Sequence, residues 1–458
     1  MRRLLRNDKE LMTGETRQQE LDMANPSRLF NKDFLLLWQG QTVSTLGTQA
    51  STIAMVFWLK HTTDSATLIG LMGMLSSLPA VLLGSVGGAC ADRFSRRKII
   101  IISDVVDGLV VGSLAALMFF LPGSTRLLVL AALSASVILA IVSAFFGPSI
   151  SASVPDLVPE HRVPGANSLI QSSFQAASLV GMAVGGTLFR LLGAPILFLI
   201  DAISYLFSAG SEYFIRIPQT FPERAGNWRS LAREFRRDTV TGCRFVWNNA
   251  GLRILVLGSS VITFFTVPII VLFPFYIEDV LKVRPDWYGF IMAAYGLGSL
   301  LGFVLAGSLN LSGKTRGRVM IAFMLLESIG FGTLGFISSA FVALGLAAGG
   351  GCLSSFVLIS TTSLLQLRTP AEMRGRVFGL LTTIAGSISP LAMGLAGIVA
   401  DLLGKNIPLI YMVCGACMVC VSALLPFNRE YRKFLEFERA LSATTQTSTA
   451  AAVVGSDR

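Results

Sequence analysis

The sequence predicts an all-α membrane protein with twelve transmembrane helices in two pseudo-symmetric six-helix bundles. Three observations carry that expectation. Apolar residues make up 53% of the 458-residue chain and charged residues only 14%, against about a quarter charged in ordinary soluble proteins. The apolar residues gather into runs of about 20, the length that takes a helix across a ~30 Å hydrocarbon core where no water can satisfy a broken backbone. Features of the first half also recur in the second at a nearly constant offset.

The runs lie at 34–59, 66–90, 99–121, 126–150, 166–190, 196–216, 252–276, 287–311, 319–337, 341–365, 377–401 and 407–427. If both termini share one side, 31 Lys and Arg fall in the tails and connections of that side and six on the other. The positive-inside rule makes the first side the cytoplasm of a bacterial inner membrane. The net charge of +10 then reports topology and attraction to anionic lipid, and implies no nucleic-acid partner.

The expected organisation is a cytoplasmic N-tail over 1–33, a six-helix bundle over 34–216, a cytoplasmic linker over 217–251, a second bundle over 252–427 and a cytoplasmic C-tail over 428–458. The opening "MRRLLRNDKELM" has no uninterrupted apolar core and no small-residue cleavage site, so it is read as a tail and not as a secretory signal. In the linker, Leu231, Phe235, Gly242 and Phe245 approximate one helical face, while Arg233, Arg236, Arg237 and Arg244 are available to water and headgroups.

The internal repeat is specific. "VPEHRVPGANSL" from Val158 and "TPAEMRGRVFGL" from Thr369 stand 211 residues apart, and the same offset joins Gly186 to Gly397 and Gly193 to Gly404. Earlier in each half, Gly40 and Gly258 are 218 apart, and Gly70 with Gly289 and Gly88 with Gly307 are 219 apart. Two like-oriented halves are the arrangement of transporters that hold their cargo near the midplane. Small-residue pairs four apart, such as Gly181 with Gly185 beside Gly186, or Gly298 with Gly302, let helices approach closely.

Several other patterns carry no chemistry. "GFGTLG" from Gly330 fits a dinucleotide fingerprint but lies in an apolar helix with no preceding strand. "GSLNLSGKT" has five residues between its glycines where a phosphate loop needs four. Cys414, Cys417 and Cys420 sit in the last apolar run without a nearby His or acid and read as small apolar residues, so no metal or cofactor is expected. No triad, metal cluster or phosphate loop supports an enzyme.

Between the second and third runs the chain reads "GGACADRFSRRK". Gly88, three spacers, Asp92, Arg93, then Ser95, Arg96 and Arg97 resemble the signature loop of the major facilitator superfamily, which places Gly where Ser95 stands. An acid at such a helix end can engage a neighbouring Arg or a facing helix N-terminus and act as a conformational switch. "NKDFLLLWQGQTVSTLG" from Asn31, "FFGPSISASVPDLVPEHRVPGANSL" from Phe145, "FLIDAISYL" from Phe198 and "MRGRVFGLL" from Met373 narrow the resemblance to the drug and siderophore exporter branch, over roughly residues 30–430. "GMAVGG" from Gly181 resembles the antiporter motif of exporters, with Met182 where that motif has proline.

The resemblance implies alternating access and a cavity lined by helices one, four, seven and ten. Those runs carry no ionisable residue between their ends. They offer Gln39, Gln41, Thr45, Gln49, Phe145, Thr263, Thr266, Ser355 and Thr361 as cargo contacts. Acids within the membrane are costly and by default functional. Asp104 and Asp107, one turn apart in the third run, lead as proton-coupling candidates, followed by Asp33, Asp201 and Glu327. The expected activity is export of a hydrophobic or amphiphilic small molecule by proton antiport, in contact with membrane lipids and as a monomer. A lipid flippase of the same fold is the alternative within transport, and a non-transporting scaffold or sensor the alternative outside it.

Overall fold

A computed structural model of the chain describes residues 30–219, 237, 240–309, 311 and 313–436. Its long helices are α1 (Lys32–Thr63), α2 (Ala66–Arg93), α3 (Arg96–Phe120), α4 (Thr125–Leu157), α5 (Val163–Glu212), α6 (Ala250–Val271), α7 (Asp286–Ser308), α8 (Gly313–Thr333), α9 (Ala340–Arg368), α10 (Ala371–Leu402) and α11 (Ile407–Leu424), followed by the short α12 (Arg429–Leu435). No strand occurs among the described residues. Ten of the helices, α2 to α11, are long and apolar enough to cross a membrane. The polar α1, with its glutamines and threonines, adds an eleventh span. The twelfth is hidden in α5, whose 50 residues would run ~75 Å if straight.

A bend at Gly193 (φ 75°, ψ 165°) divides α5 into two arms. Only glycine adopts that backbone without strain. Its repeat partner Gly404 also has positive φ, at 60°, and there the chain turns from α10 into α11. The repeated peptides agree in backbone as well. Val158 and Thr369 are both extended, each ending its preceding helix, and Pro159 and Pro370 share φ near −55° with ψ 147° in both. The sequence repeat is thus a repeat of turns.

The described residues form two compact units. The first takes those of Met1–Trp58 and Leu75–Asn227, and the second takes Leu59–Met74 and those of Trp228–Arg458. The division falls inside the expected linker, and one further segment changes sides, the tip of the hairpin between α1 and α2. In the linker a helix covers 240–248. Its Gly242 lies close to the Arg376 carbonyl, and Val246 joins an apolar core with Leu252, Met320, Phe356, Val377, Tyr431 and Phe434. The linker's Leu231, Arg233, Phe235 and Arg236 lie outside the described residues, as do 1–29 and 437–458 of the tails.

Glycine sets close helix contacts in each unit. In the second, a Cβ on Gly298 would lie 1.9 Å from the Ala348 carbonyl oxygen, and one on Gly351 2.0 Å from that of Tyr295, so α7 and α9 touch through backbone. In the first, Cβ atoms on Gly181 and Gly185 would lie 2.5 Å from Gln49 Cβ and 3.0 Å from Ile53 Cβ, which presses α1 against the first arm of α5, with Gly186 buried alongside. No such neighbour stands near Gly84 or Gly88. "GFGTLG" lies at the end of α8, where Gly332 and Gly335 pack on α11.

Candidate functional site

The charged loop between α2 and α3 is built around Arg96. Ser95 is extended (φ −61°, ψ 111°) and caps α3, accepting from the Lys98 N–H at 3.4 Å. This turn therefore needs no positive φ at the position the superfamily gives to Gly. The Arg96 guanidinium reaches Asp92 Oδ1 at 3.6 Å, forms an ion pair with Asp156 Oδ2 and donates to the carbonyls of Ala91 and Ala152 at 3.1 and 2.9 Å. Asp92 remains largely exposed, with Arg93 half-buried beside it. Asp156, near the end of α4, was not among the expected site residues. Arg97 turns away, donating to the Tyr213 carbonyl and standing over the Tyr213 ring.

The acids in the first unit are arranged as a column. On the second arm of α5, Asp201, Tyr205, Ser208 and Glu212 follow one another at intervals of four, three and four residues, which keeps them on one helical face. Asp104 and Asp107 of α3 face them, and the Asp104 and Glu212 carboxyls interact directly. From α1, Ser51 donates to Asp201 Oδ2, Thr48 donates to Asp201 Oδ1 at 3.3 Å and lies 2.8 Å from the Tyr205 hydroxyl, and Gln41 donates to Glu212 Oε1 at 2.8 Å. A Cβ on Gly47 would lie 2.8 Å from Asp201 Oδ1, so the absence of a side chain there admits the carboxylate.

Relative exposures are 1% for Asp104, 8% for Asp107, 2% for Asp201 and 1% for Glu212. No ion pair to these four carboxylates is found among the described residues. Arg97 forms no ion pair with Asp104, and its guanidinium donates to the Tyr213 carbonyl instead. Glu212 was missed as a site residue. It lies eleven residues, about three turns, beyond Asp201 in the same apolar run, and that spacing was the signal that could have found it.

The remaining expected residues are dispersed. Asp33, in the first turn of α1, accepts from the Arg216 N–H at 3.0 Å, and Glu327 of α8 accepts from the Ser354 hydroxyl of α9. Gln39 donates to Ser211 at 3.3 Å, so both Gln39 and Gln41 tie α1 to α5. Thr45 donates to the Gln41 carbonyl at 2.7 Å, and Thr266 to that of Ile262 at 2.9 Å. Ser355 is buried, while Gln49, Phe145, Thr263 and Thr361 are half-buried. No described hydrogen bond engages the Gln49 amide.

A repeated pair of six-span halves with a charged loop after the second span defines a multi-pass membrane transporter. The chain belongs to the transmembrane secretion effector family of the major facilitator superfamily, whose profile matches residues 25–458. It is 27% identical over 406 residues to macrolide efflux protein A of Streptococcus pyogenes, covering 87% of this chain and 96% of that protein. It is 26% identical over 382 residues to the multidrug efflux pump Tap of Mycolicibacterium fortuitum, covering 81% and 90%. The fold is similar to that of a bacterial homolog of the human lysosomal transporter Spinster, with a TM-score of 0.62 at 15% identity over 88% of this chain and 96% of that one. Similarity to the nucleoside transporter NupG gives a TM-score of 0.64 at 13% identity over 86% and 98%.

Proposed function

We propose that the chain exports a bulky, mostly apolar small molecule with several hydrogen-bonding groups from the cytoplasm, by alternating access at the expense of a proton gradient. The observation that carries this reading is the charge pattern of the helices expected to line the cavity. In α1, α4, α6 and α9, Asp, Lys, Arg and His stand only in the end turns, and Glu is absent. A carrier of an obligate ion would place an opposite charge at depth, since an unpaired ion in a low-dielectric site is held only at considerable cost. Neutral amides and hydroxyls among aromatic rings suit a macrolide-like amphiphile.

The two efflux relatives support the same substrate class. Asp92 and Arg96, with Asp156 behind them, are the groups we assign to the conformational switch on the cytoplasmic side. Their charge-assisted contacts form in one state and release in another.

The test is flux in proteoliposomes that hold the purified chain and a pH gradient. A radiolabelled macrolide should move saturably against its own gradient, hydrophobic drugs should compete, and sugar phosphates should be neither carried nor competitive. Saturable transport of a sugar phosphate that hydrophobic drugs do not inhibit would overturn the cargo assignment. No flux of any compound would return the chain to a scaffold or sensor.

A further inference from the structure

We infer that the first unit holds a proton site made of four carboxyls, Asp201, Asp107, Asp104 and Glu212, with one proton shared between Asp104 and Glu212. Its role in transport rests on the efflux reading above, whereas proton binding itself does not.

The geometry asks for a proton. Asp104 Oδ2 and Glu212 Oε2 are buried oxygens that no donor reaches, and so is Asp107 Oδ1. The residues that carry them are at least nine-tenths buried. Two facing carboxylates, both ionised, would repel each other across a medium that screens poorly. One proton on either converts an acceptor without a donor into a donor for the other, and it removes a charge that no cation compensates.

Among the described residues no cation forms an ion pair with these carboxyls. α1 contributes Gln41, Thr48 and Ser51, all neutral. α3 contributes the two aspartates, and α5 contributes Asp201, Tyr205 and Glu212 with Ser204 and Ser208. α4, on another side of α3, has no ionisable residue between Arg126 and Asp156. At the shallow end Arg97 is engaged by Tyr213.

The column also has a direction. Eleven residues separate Asp201 from Glu212, a distance of ~16 Å along the helix, with the two α3 aspartates beside the stretch between. Glu212 and Asp104 lie towards the end of α3 that carries Arg96 and Arg97, the side read as cytoplasmic. Asp201 lies at depth and accepts from Thr48 and Ser51 of α1. A proton on Asp201 replaces an acceptor with a donor opposite those hydroxyls, so its arrival changes the bonds that hold α1. A proton taken from the outer solution thus reaches the cytoplasm through Asp201, Asp107 and the Asp104–Glu212 pair, and is released there unchanged.

Infrared spectroscopy of the purified, reconstituted full chain at neutral pH tests the site without any cargo. The wild type should show the carbonyl stretch of a protonated carboxyl, shifted in deuterium oxide. That band should be lost in Glu212→Gln and in Asp104→Asn, retained in Glu212→Asp, and unaffected by Glu160→Gln on the surface. In flux assays with radiolabelled macrolide, Asp201→Asn and Asp107→Asn should lose about tenfold or more of pH-gradient-driven export while keeping macrolide exchange across the membrane within about twofold.

The inference is overturned if the wild type has no such band, if neither Glu212→Gln nor Asp104→Asn changes it, or if sodium at constant pH abolishes it, which would assign the column to a metal ion. Gradient-driven export unchanged in both Asp201→Asn and Asp107→Asn would remove the column from coupling. A wild type that moves no macrolide in either assay would refute the efflux reading, and the infrared band alone would then decide the proton site.

Discussion

The three glutamines of α1 have different surroundings although they look equivalent in sequence. Gln39 and Gln41 donate to Ser211 and Glu212 of α5 and hold one helix to the other. Gln49 packs its Cβ against Gly181, and no described bond takes its amide. An amide half-buried and not committed to a neighbouring helix is free to bond cargo, whereas one that satisfies a buried carboxylate is costly to remove. Gln49→Ala should therefore change relative resistance among hydrophobic drugs several-fold without lowering protein level. Susceptibility profiling of a pump-deficient host, with membrane abundance measured in parallel, checks this. A uniform loss of resistance that tracks abundance would make Gln49 structural.

At the scale of elements, the hairpin between α1 and α2 is held by its helix ends. The last turn of α1 presents Lys60, a cation suited to a helix C-terminus, and His61 beside it. Lys60 bonds Glu278 Oε2 at 2.7 Å and Asp279 Oδ1 at 2.9 Å, and its ammonium stands 5.0 Å from the Phe275 ring centre, while His61 Nε2 is 2.9 Å from Glu278 Oε1. A π-helical turn over Tyr276–Val280 aims both acids at them. The first N–H groups of α2 donate instead to Asp401 of α10, from Ala66 at 3.0 Å and Thr67 at 2.8 Å, joined by the Ser65 hydroxyl at 2.9 Å. One helix thus caps another across 335 residues of sequence.

Partial burial pushes the Glu278 carboxyl up, but the hydrogen bonds from His61 and Lys60 and their charges outweigh it, so the group sits below its ordinary value. A carboxyl lowered in the folded state stabilises that state above its unfolded value, about 4.3 for Glu. The contribution is lost as pH falls through the lower folded value. Glu278→Gln should cost about 1–3 kcal/mol at neutral pH, and the difference from wild type should vanish in strong acid. Thermal unfolding in detergent across a pH series measures this, and a difference that persists unchanged in acid would show that the ion pairs are not its source.

At the scale of the whole molecule, charge sets orientation and repetition sets architecture. Reporters fused at Arg237 and Ser442 should report cytoplasm and one at Arg284 the periplasm, because the cations concentrate on one side of the spans. Alkaline phosphatase and fluorescent-protein fusions distinguish the sides, and a swapped pattern would invert every assignment of inner and outer face. The repeat was legible because glycines and prolines fix turns. Gly193 and Gly404 sit 211 residues apart and carry the only positive-φ glycines among the described residues, so selection for a backbone shape is written directly into residue identity. The twelve spans were legible for an equally local reason, since crossing hydrocarbon needs an unbroken apolar run whatever the run packs against.

What lay beyond the sequence was partnership. Helical period places Asp201 and Glu212 on one face of α5, yet it does not say which helix meets that face. Only the packed structure brings Asp104 and Gln41 to Glu212, leaves Arg97 with Tyr213, joins Arg96 to Asp156, and binds the tip of the first hairpin within the second unit. Each of these contacts spans about 60 to more than 300 residues of chain. A hydrogen bond is decided by angstroms between side chains, and the sequence fixes such distances only within a turn or two of the same helix. The membrane-spanning architecture was therefore determined by local composition and period, whereas the column of acids and the capped hairpin were decided by tertiary contact.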